Sequence, residues 1–176
     1  IEEAKLFERD TGDWPITHLD KLGVLRPEVL MAHVVALKDE EVKLLKNRGS
    51  KVCFCPGTAV KEAKGATAIG KFPELLSAGV TVSLGCDGAS AAGSFDMVRQ
   101  IYLVSTIFRD ARMDPRIVPP EQGLEMGTIN GARSLLWNDQ IGSLEAGKKA
   151  DMILFDTSRL DWLPMIDPVR NLVYST

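Results

Sequence analysis

The sequence predicts an α/β fold built on a parallel sheet, and three observations carry that reading. Short apolar runs of strand length, "EVLMAHVV", "KVCFCPG" and "VTVSLGCDG", alternate with segments of helical periodicity. Each run is apolar almost throughout rather than at every second position, as strands covered on both faces are. The second and third give way to loops through Pro56-Gly57 and Asp87-Gly88, and in parallel α/β folds, open or closed into a barrel, ligands bind at that carboxyl end of the strands.

The elements follow in order. The opening "IEEAKLFERDTGDWPITHLDKLG" begins inside a helical pattern, with Ala4, Leu6 and Phe7 set among charges. After Pro27, "EVLMAHVV" forms the first strand. "KDEEVKLLKNRG" is then a helix capped by Asp39, carrying Val42, Leu44 and Leu45 and ending at Gly49. "KVCFCPG" is a second strand stopped by Pro56 and Gly57, and "AIGKFPELLSAG" a short helix closing at Gly79. "VTVSLGCDG" is the third strand. A loop rich in Gly, Ala and Ser leads to a long helix from Ser94, its expected cap, to about Ala111. "PPEQGLEMGTINGARSLLW" reads as two short helices, the second entered at Thr128 or Asn130-Gly131 and packing Ala132, Leu135 and Leu136. From there the pattern turns to β: a strand in "IGSLEAG", a turn at Ala146-Gly147-Lys148, an apolar strand from Met152 to Phe155, and "NLVYST" as a last strand.

Composition narrows the function. At 176 residues with a net charge of -3, the chain has the size of one domain, and its Lys and Arg are scattered rather than striped, which argues against a nucleic-acid partner. The apolar runs fall far short of the roughly 20 residues that span a bilayer, and no charged-then-apolar leader is visible, so the expected location is the cytoplasm, away from membranes. The three cysteines, Cys53, Cys55 and Cys86, lack the even spacing of a disulfide framework and read as reduced thiols. No strand is followed by G-x-G-x-x-G at a helix start, which removes dinucleotide binding.

The chemistry-bearing residues sit where strands give way to loops. His33 closes the first strand, Pro56 opens the loop after the second, and Asp87 ends the third. A carboxylate at that position meets a substrate or a metal rather than the core; the plainer alternative is a turn residue in Asp-Gly. His18 matches no motif and reads as a surface or interface residue.

Four segments, "MAHVVALKDEEVKLLKNRG", "CPGTAV", "AGVTVSLGCDGA" and "NGARSLLWNDQIGSLEAGKKADMILFD", together resemble the carboxyl-terminal half of the amidohydrolase superfamily, in the branch of chlorohydrolases and aminohydrolases acting on N-heterocycles. The resemblance covers nearly the whole chain. It implies that residues 1–138 form the carboxyl-terminal portion of a (β/α)8 TIM barrel, and that residues 139–176 supply strands of a small composite β-sandwich. It further implies a mononuclear metal site holding Zn2+, or Fe2+ in its place. Asp87 matches the aspartate closing the last barrel strand, a metal ligand that also takes the proton of the attacking water. His33 matches the histidine two strands earlier, which hydrogen-bonds that water or the tetrahedral centre. The implied reaction removes an amine or halide from a small N-heterocyclic substrate.

Departures from the family pattern matter as well. The family's His-x-His pair and its further histidine and glutamate are not found here, since His18 and His33 are the two histidines of the chain. The expectation is therefore a fragment, inactive alone, with an exposed sheet prone to self-association into a homo-oligomer. The competing reading is a non-catalytic α/β module that keeps the fold without a complete metal site. Cys86 stands where threonine is usual, and "CPGTA" where many members have Cys-Pro-x-Ser-Asn.

Overall fold

A computed structural model describes residues 1–175. Its sheet holds three parallel strands in chain order, β1 (Leu30–Ala32), β2 (Lys51–Phe54) and β3 (Val82–Leu84), with β2 in the middle. Met31 lies opposite Val52, and Val52, Cys53 and Phe54 lie opposite Val82, Ser83 and Leu84. The parallel α/β class expected from the sequence is thus present. The first strand is shorter than "EVLMAHVV" because His33 and Val34 adopt positive φ, 123° and 64°, which ends the ladder.

Strand alternation sorts the side chains of β2 onto two faces. Val52 and Phe54 enter the core, where the Phe54 ring stacks on Phe72 at 3.9 Å and meets Phe108 at 5.8 Å. Phe72 begins α6 (Phe72–Ser77) and Phe108 lies on α8 (Met97–Arg112), so one aromatic cluster ties the central strand to both helices. Leu45 of α3 (Asp39–Arg48), Leu75, Val104 and Met126 fill the rest of this buried layer. Burying each such side chain stabilises the fold by about 1.5–3 kcal/mol.

Helix starts are set by side chains near the expected ones. Asp39 is the first residue of α3 rather than its cap; it is exposed and pairs with Lys71 at 2.8 Å. The buried Glu41, three residues after the N-cap Lys38, accepts from Lys38 N at 3.1 Å, and from Thr17 N at 2.9 Å and Thr17 Oγ1 at 3.1 Å. It thereby closes the amino end of α3 and fastens it to α2 (Pro15–Lys21). Likewise α8 is capped by Asp96, not Ser94: the Asp96 carboxylate accepts from Arg99 N at 3.0 Å. Ahead of α2, α1 (Glu2–Thr11) ends at Gly12, whose φ of +79° closes the helix. Between the sheet strands lie α4 (Pro56–Lys61) and α5 (Ala66–Ile69), and after β3 the short α7 (Ala89–Ala92).

The two short helices expected after α8 are α9 (Pro120–Gly127) and α10 (Ile129–Ser134). Ala132 is buried as anticipated, whereas Leu135 and Leu136 are exposed.

The carboxyl-terminal region departs most from expectation. Among the described residues, no strand follows β3. The turn at Ala146-Gly147-Lys148 is present, with Lys148 N donating to Glu145 O at 3.1 Å, but its flanks are irregular. Ile153 and Leu154 are 77% and 90% exposed, since a strand needs a hydrogen-bonded neighbour and the described residues provide none. "NLVYST" is not a strand either: its residues up to Ser175 belong to α11 (Pro168–Ser175), and Thr176 lies outside the described residues. The Asp167 carboxylate accepts from Val169 N at 2.9 Å and Arg170 N at 3.1 Å, and Pro168 opens the helix. Val173 is fully buried in the same core as Val104 and Met126. No helix among the described residues is long and apolar enough to cross a membrane.

The aromatic cluster yields a stability prediction. Phe72→Ala should destabilise the chain by about 3–5 kcal/mol in urea unfolding, whereas Phe95→Ala should change stability by less than about 0.5 kcal/mol. The contrast rests on exposure, since Phe72 is fully buried and Phe95 is 71% exposed. Equal effects would place the core elsewhere.

Candidate active site at the carboxyl ends of the strands

His33 follows β1 directly and Asp87 lies three residues beyond β3, so both stand at one end of the sheet with β2 between them. Their side chains close the gap: His33 Nε2 is 3.5 Å from Asp87 Oδ2. Both groups remain reachable from solvent, at 36% and 26% side-chain exposure. Asp87 takes a φ of 61°, a conformation that Asp tolerates better than most residues, and its Oδ1 accepts from Gly88 N at 2.6 Å. That backbone hydrogen bond is the main reason its carboxyl is held below the ordinary value of 3.8; partial burial opposes it, and the Thr58 hydroxyl, His33 and Lys64 add smaller downward pulls. The carboxylate is therefore ionised at neutral pH, ready to bind a cation or accept a proton.

The loop between β2 and α4 frames the pair. Pro56 opens α4, and Gly57 N donates to the Oε1 of the buried Gln100 at 2.8 Å, which fixes this loop to α8. A Cβ at position 57 would lie 2.9 Å from that same Oε1, so a larger residue there would have to displace the Gln100 side chain. Beneath the loop, Cys53 is pulled down to about 7, chiefly by hydrogen bonding with Cys55 and against desolvation, while the same interaction pushes Cys55 up. All three cysteines are free, and Cys55 is buried, while Cys53 and Cys86 are only half-buried.

The structure thus brings together His33, Asp87 and the Pro56 loop. His18 stands apart: it is half-buried, its Nδ1 lies 3.6 Å from Asp13 Oδ2, and its ring meets Phe7 edge-on at 5.2 Å. Gln100, Thr58 and Lys64 were missed by sequence reading. A lone glutamine on an amphipathic helix gives no signal, although Thr58 lies within "CPGTAV" and Lys64 follows it closely enough to have been weighed. Carboxylate oxygen and imidazole nitrogen are donors that zinc accepts, yet a protein site needs three or four. Among the described residues no three of His, Cys, Asp and Glu come together to hold a metal. The residues present do not form a metal site by themselves.

Comparison with known proteins identifies the family of the chain. Residues 1–175 match the Amidohydrolase family, and the chain belongs to that family. It is 41% identical over 164 residues to the 5-methylthioadenosine/S-adenosylhomocysteine deaminase of Moorella thermoacetica, covering 93% of this chain and 38% of that protein. It is 33% identical to the 5'-deoxyadenosine deaminase of Methanopyrus kandleri, covering 99% of this chain and 39% of that protein. Among solved structures, an adenosine deaminase from Xanthomonas campestris with bound zinc superposes with a TM-score of 0.91 at 28% identity, over 99% of this chain and 39% of that one. An atrazine chlorohydrolase from Arthrobacter aurescens complexed with zinc shares the fold, with a TM-score of 0.89 at 24% identity over 98% of this chain and 38% of that one. The chain spans about two fifths of the length of the curated relatives it matches.

The lowered carboxyl of Asp87 has a pH consequence. A carboxylate whose folded-state pKa lies below its unfolded value contributes stability above the unfolded value and loses that contribution as pH falls through the folded one. Asp87 should therefore titrate below 3.8 when its side-chain carboxyl is followed by NMR. Asp87→Asn should remove that part of the acid dependence, which begins near pH 3.8 and runs downward, while leaving the profile above it unchanged. Titration at or above 3.8 would contradict the geometry described.

Proposed function

We propose that this chain is the carboxyl-terminal part of a (β/α)8-barrel hydrolase that removes an amino group from an N-heterocyclic substrate of the adenine nucleoside class. The single observation that carries the reading is the His33–Asp87 pair, two side chains from β1 and β3 meeting at 3.5 Å at the ligand-binding end of a parallel sheet. The names of the relatives favour deamination over halide removal.

In this reading the remaining metal ligands come from residues outside the chain, and Asp87 is the one metal ligand inside it. Asp87 would hold a divalent ion, Zn2+ or Fe2+, together with those outside ligands, and such an ion would supply a water acidic enough to lose a proton near neutral pH. Asp87 Oδ2 accepts a proton and returns it to the departing amine, a task suited to a carboxylate that is ionised at rest. His33 Nε2 hydrogen-bonds an oxygen at the reacting carbon and orients it beside Asp87. Gln100 holds the Pro56 loop in place through the Gly57 N–H. The exposed segment around Met152 to Phe155 pairs with strands outside the chain, completing a small β-module from residues 139–176. The second reading, a module that keeps the fold without catalysis, draws on the shortfall of metal ligands among the described residues.

Two arms of one experiment separate them. Dialysed against zinc, the 176-residue chain should retain no tightly held ion and release no ammonia from 5'-methylthioadenosine or adenosine. In the parent protein, turnover should be measurable, and Asp87→Asn should lower it by a factor of about 10² to 10⁴. A parent in which Asp87→Asn turns over as fast as wild type contradicts the assignment. A parent that deaminates neither nucleoside favours the non-catalytic reading.

A further inference from the structure

Two sulfurs lie side by side under the candidate site, and the proposed reaction uses neither. Cys53 is in β2 and Cys55 two residues on, so both side chains leave the sheet on the face opposite Val52 and Phe54. Gly85, just beyond β3, donates its N–H to Phe54 O at 2.9 Å and so sits next to both. A Cβ at position 85 would stand 2.8 Å from Cys53 Sγ and 3.2 Å from Cys55 Sγ. The space a side chain would fill is occupied by the two sulfurs, which converge over the glycine. Both are free thiols, and the half-buried Cys53 leaves the pair open on one side.

Two outcomes are open to such a pair, a disulfide or a shared ion. Residues i and i+2 of an extended strand are about 6.6 Å apart at Cα. That is near the upper limit a disulfide can span, so oxidation would require the strand to shorten. An ion bridging the sulfurs spans a wider gap than the S–S bond of about 2.05 Å, and so asks less shortening of the strand. Among the described residues no third His, Cys, Asp or Glu completes a metal-binding group here. Zinc, which requires three or four protein ligands, is therefore a poor fit, and soft ions that prefer thiolates are a good one.

We propose that Cys53 and Cys55 form a two-coordinate site for a soft monovalent metal ion of the cuprous class, held between their sulfurs over Gly85. Each sulfur forms one bond to the ion and releases its thiol proton to solvent; no electron is transferred. Cys86, whose Sγ contacts Met97 Sδ at 3.3 Å, lies outside the pair and serves as the internal control. The site goes beyond the hydrolase reading and stands or falls separately from it.

The test uses the reduced, oxygen-free chain and Ag(I), a monovalent ion with the same preference for two sulfurs and no redox chemistry under these conditions. Bound silver is counted by native mass spectrometry in the presence of excess N-acetylcysteine, and its neighbours are read by X-ray absorption after the competitor is removed. Wild type and Cys86→Ser should each retain one ion with two sulfur neighbours. Cys53→Ser and Cys55→Ser, checked for an unchanged circular dichroism spectrum, should each hold it roughly 100-fold less tightly, because the chelate is lost. Retention by Cys53→Ser equal to wild type, or loss of the ion in Cys86→Ser, overturns the site. So does a single sulfur neighbour in the wild-type spectrum, a result that does not depend on any variant folding.

Discussion

The anchoring of β2 by Phe54 is the constraint on which the rest of the structure depends. Its ring stacks on Phe72 and touches Phe108, so the central strand is held to α6 and α8 by one desolvated cluster. Because β2 pairs with both neighbours, its position fixes theirs. Strand alternation then does the remaining sorting: Phe54 inward means Cys53 and Cys55 on the opposite face, and the strand ends aligned on one side.

This explains how His33 and Asp87 meet. Adjacent strands are about 4.8 Å apart, so β1 and β3 are separated by roughly twice that distance. Side chains continuing straight off the two strands would stay apart. Instead, both residues sit just past the ladder at positive φ, where the backbone leaves the strand direction and the two groups reach 3.5 Å over the end of β2. Non-glycine residues with positive φ, one of them followed by the β-branched Val34, cost energy that the surrounding pairing and packing must offset.

Much of this was legible in the chain. Continuous apolar runs specify a parallel sheet because only strands covered on both faces need them, and the residues at their ends follow from that without further information. What sequence could not resolve were choices between close neighbours. Asp39 and Ser94 are sound capping residues, but Glu41 reaches back from the third helical position and Asp96 lies nearer the start of α8. Asp167-Pro168 was a readable helix start overshadowed by the β-branched and aromatic residues of "NLVYST", whose fate was decided by burial of Val173 among α8 and α9 side chains. The segment from Met152 to Phe155 has the composition of a strand, yet composition cannot supply a hydrogen-bonding partner.

The central claim is that His33 and Asp87, carried by different strands, act as one unit. A double-mutant cycle on kcat/KM of the proposed longer hydrolase addresses it directly, using His33→Gln, Asp87→Asn and the pair. Residues that act together lose their effect together, so the double variant should be no slower than the worse single variant by more than a factor of a few. Fully multiplicative losses would mean that the two groups work independently, and the 3.5 Å contact between them would then have no part in the reaction.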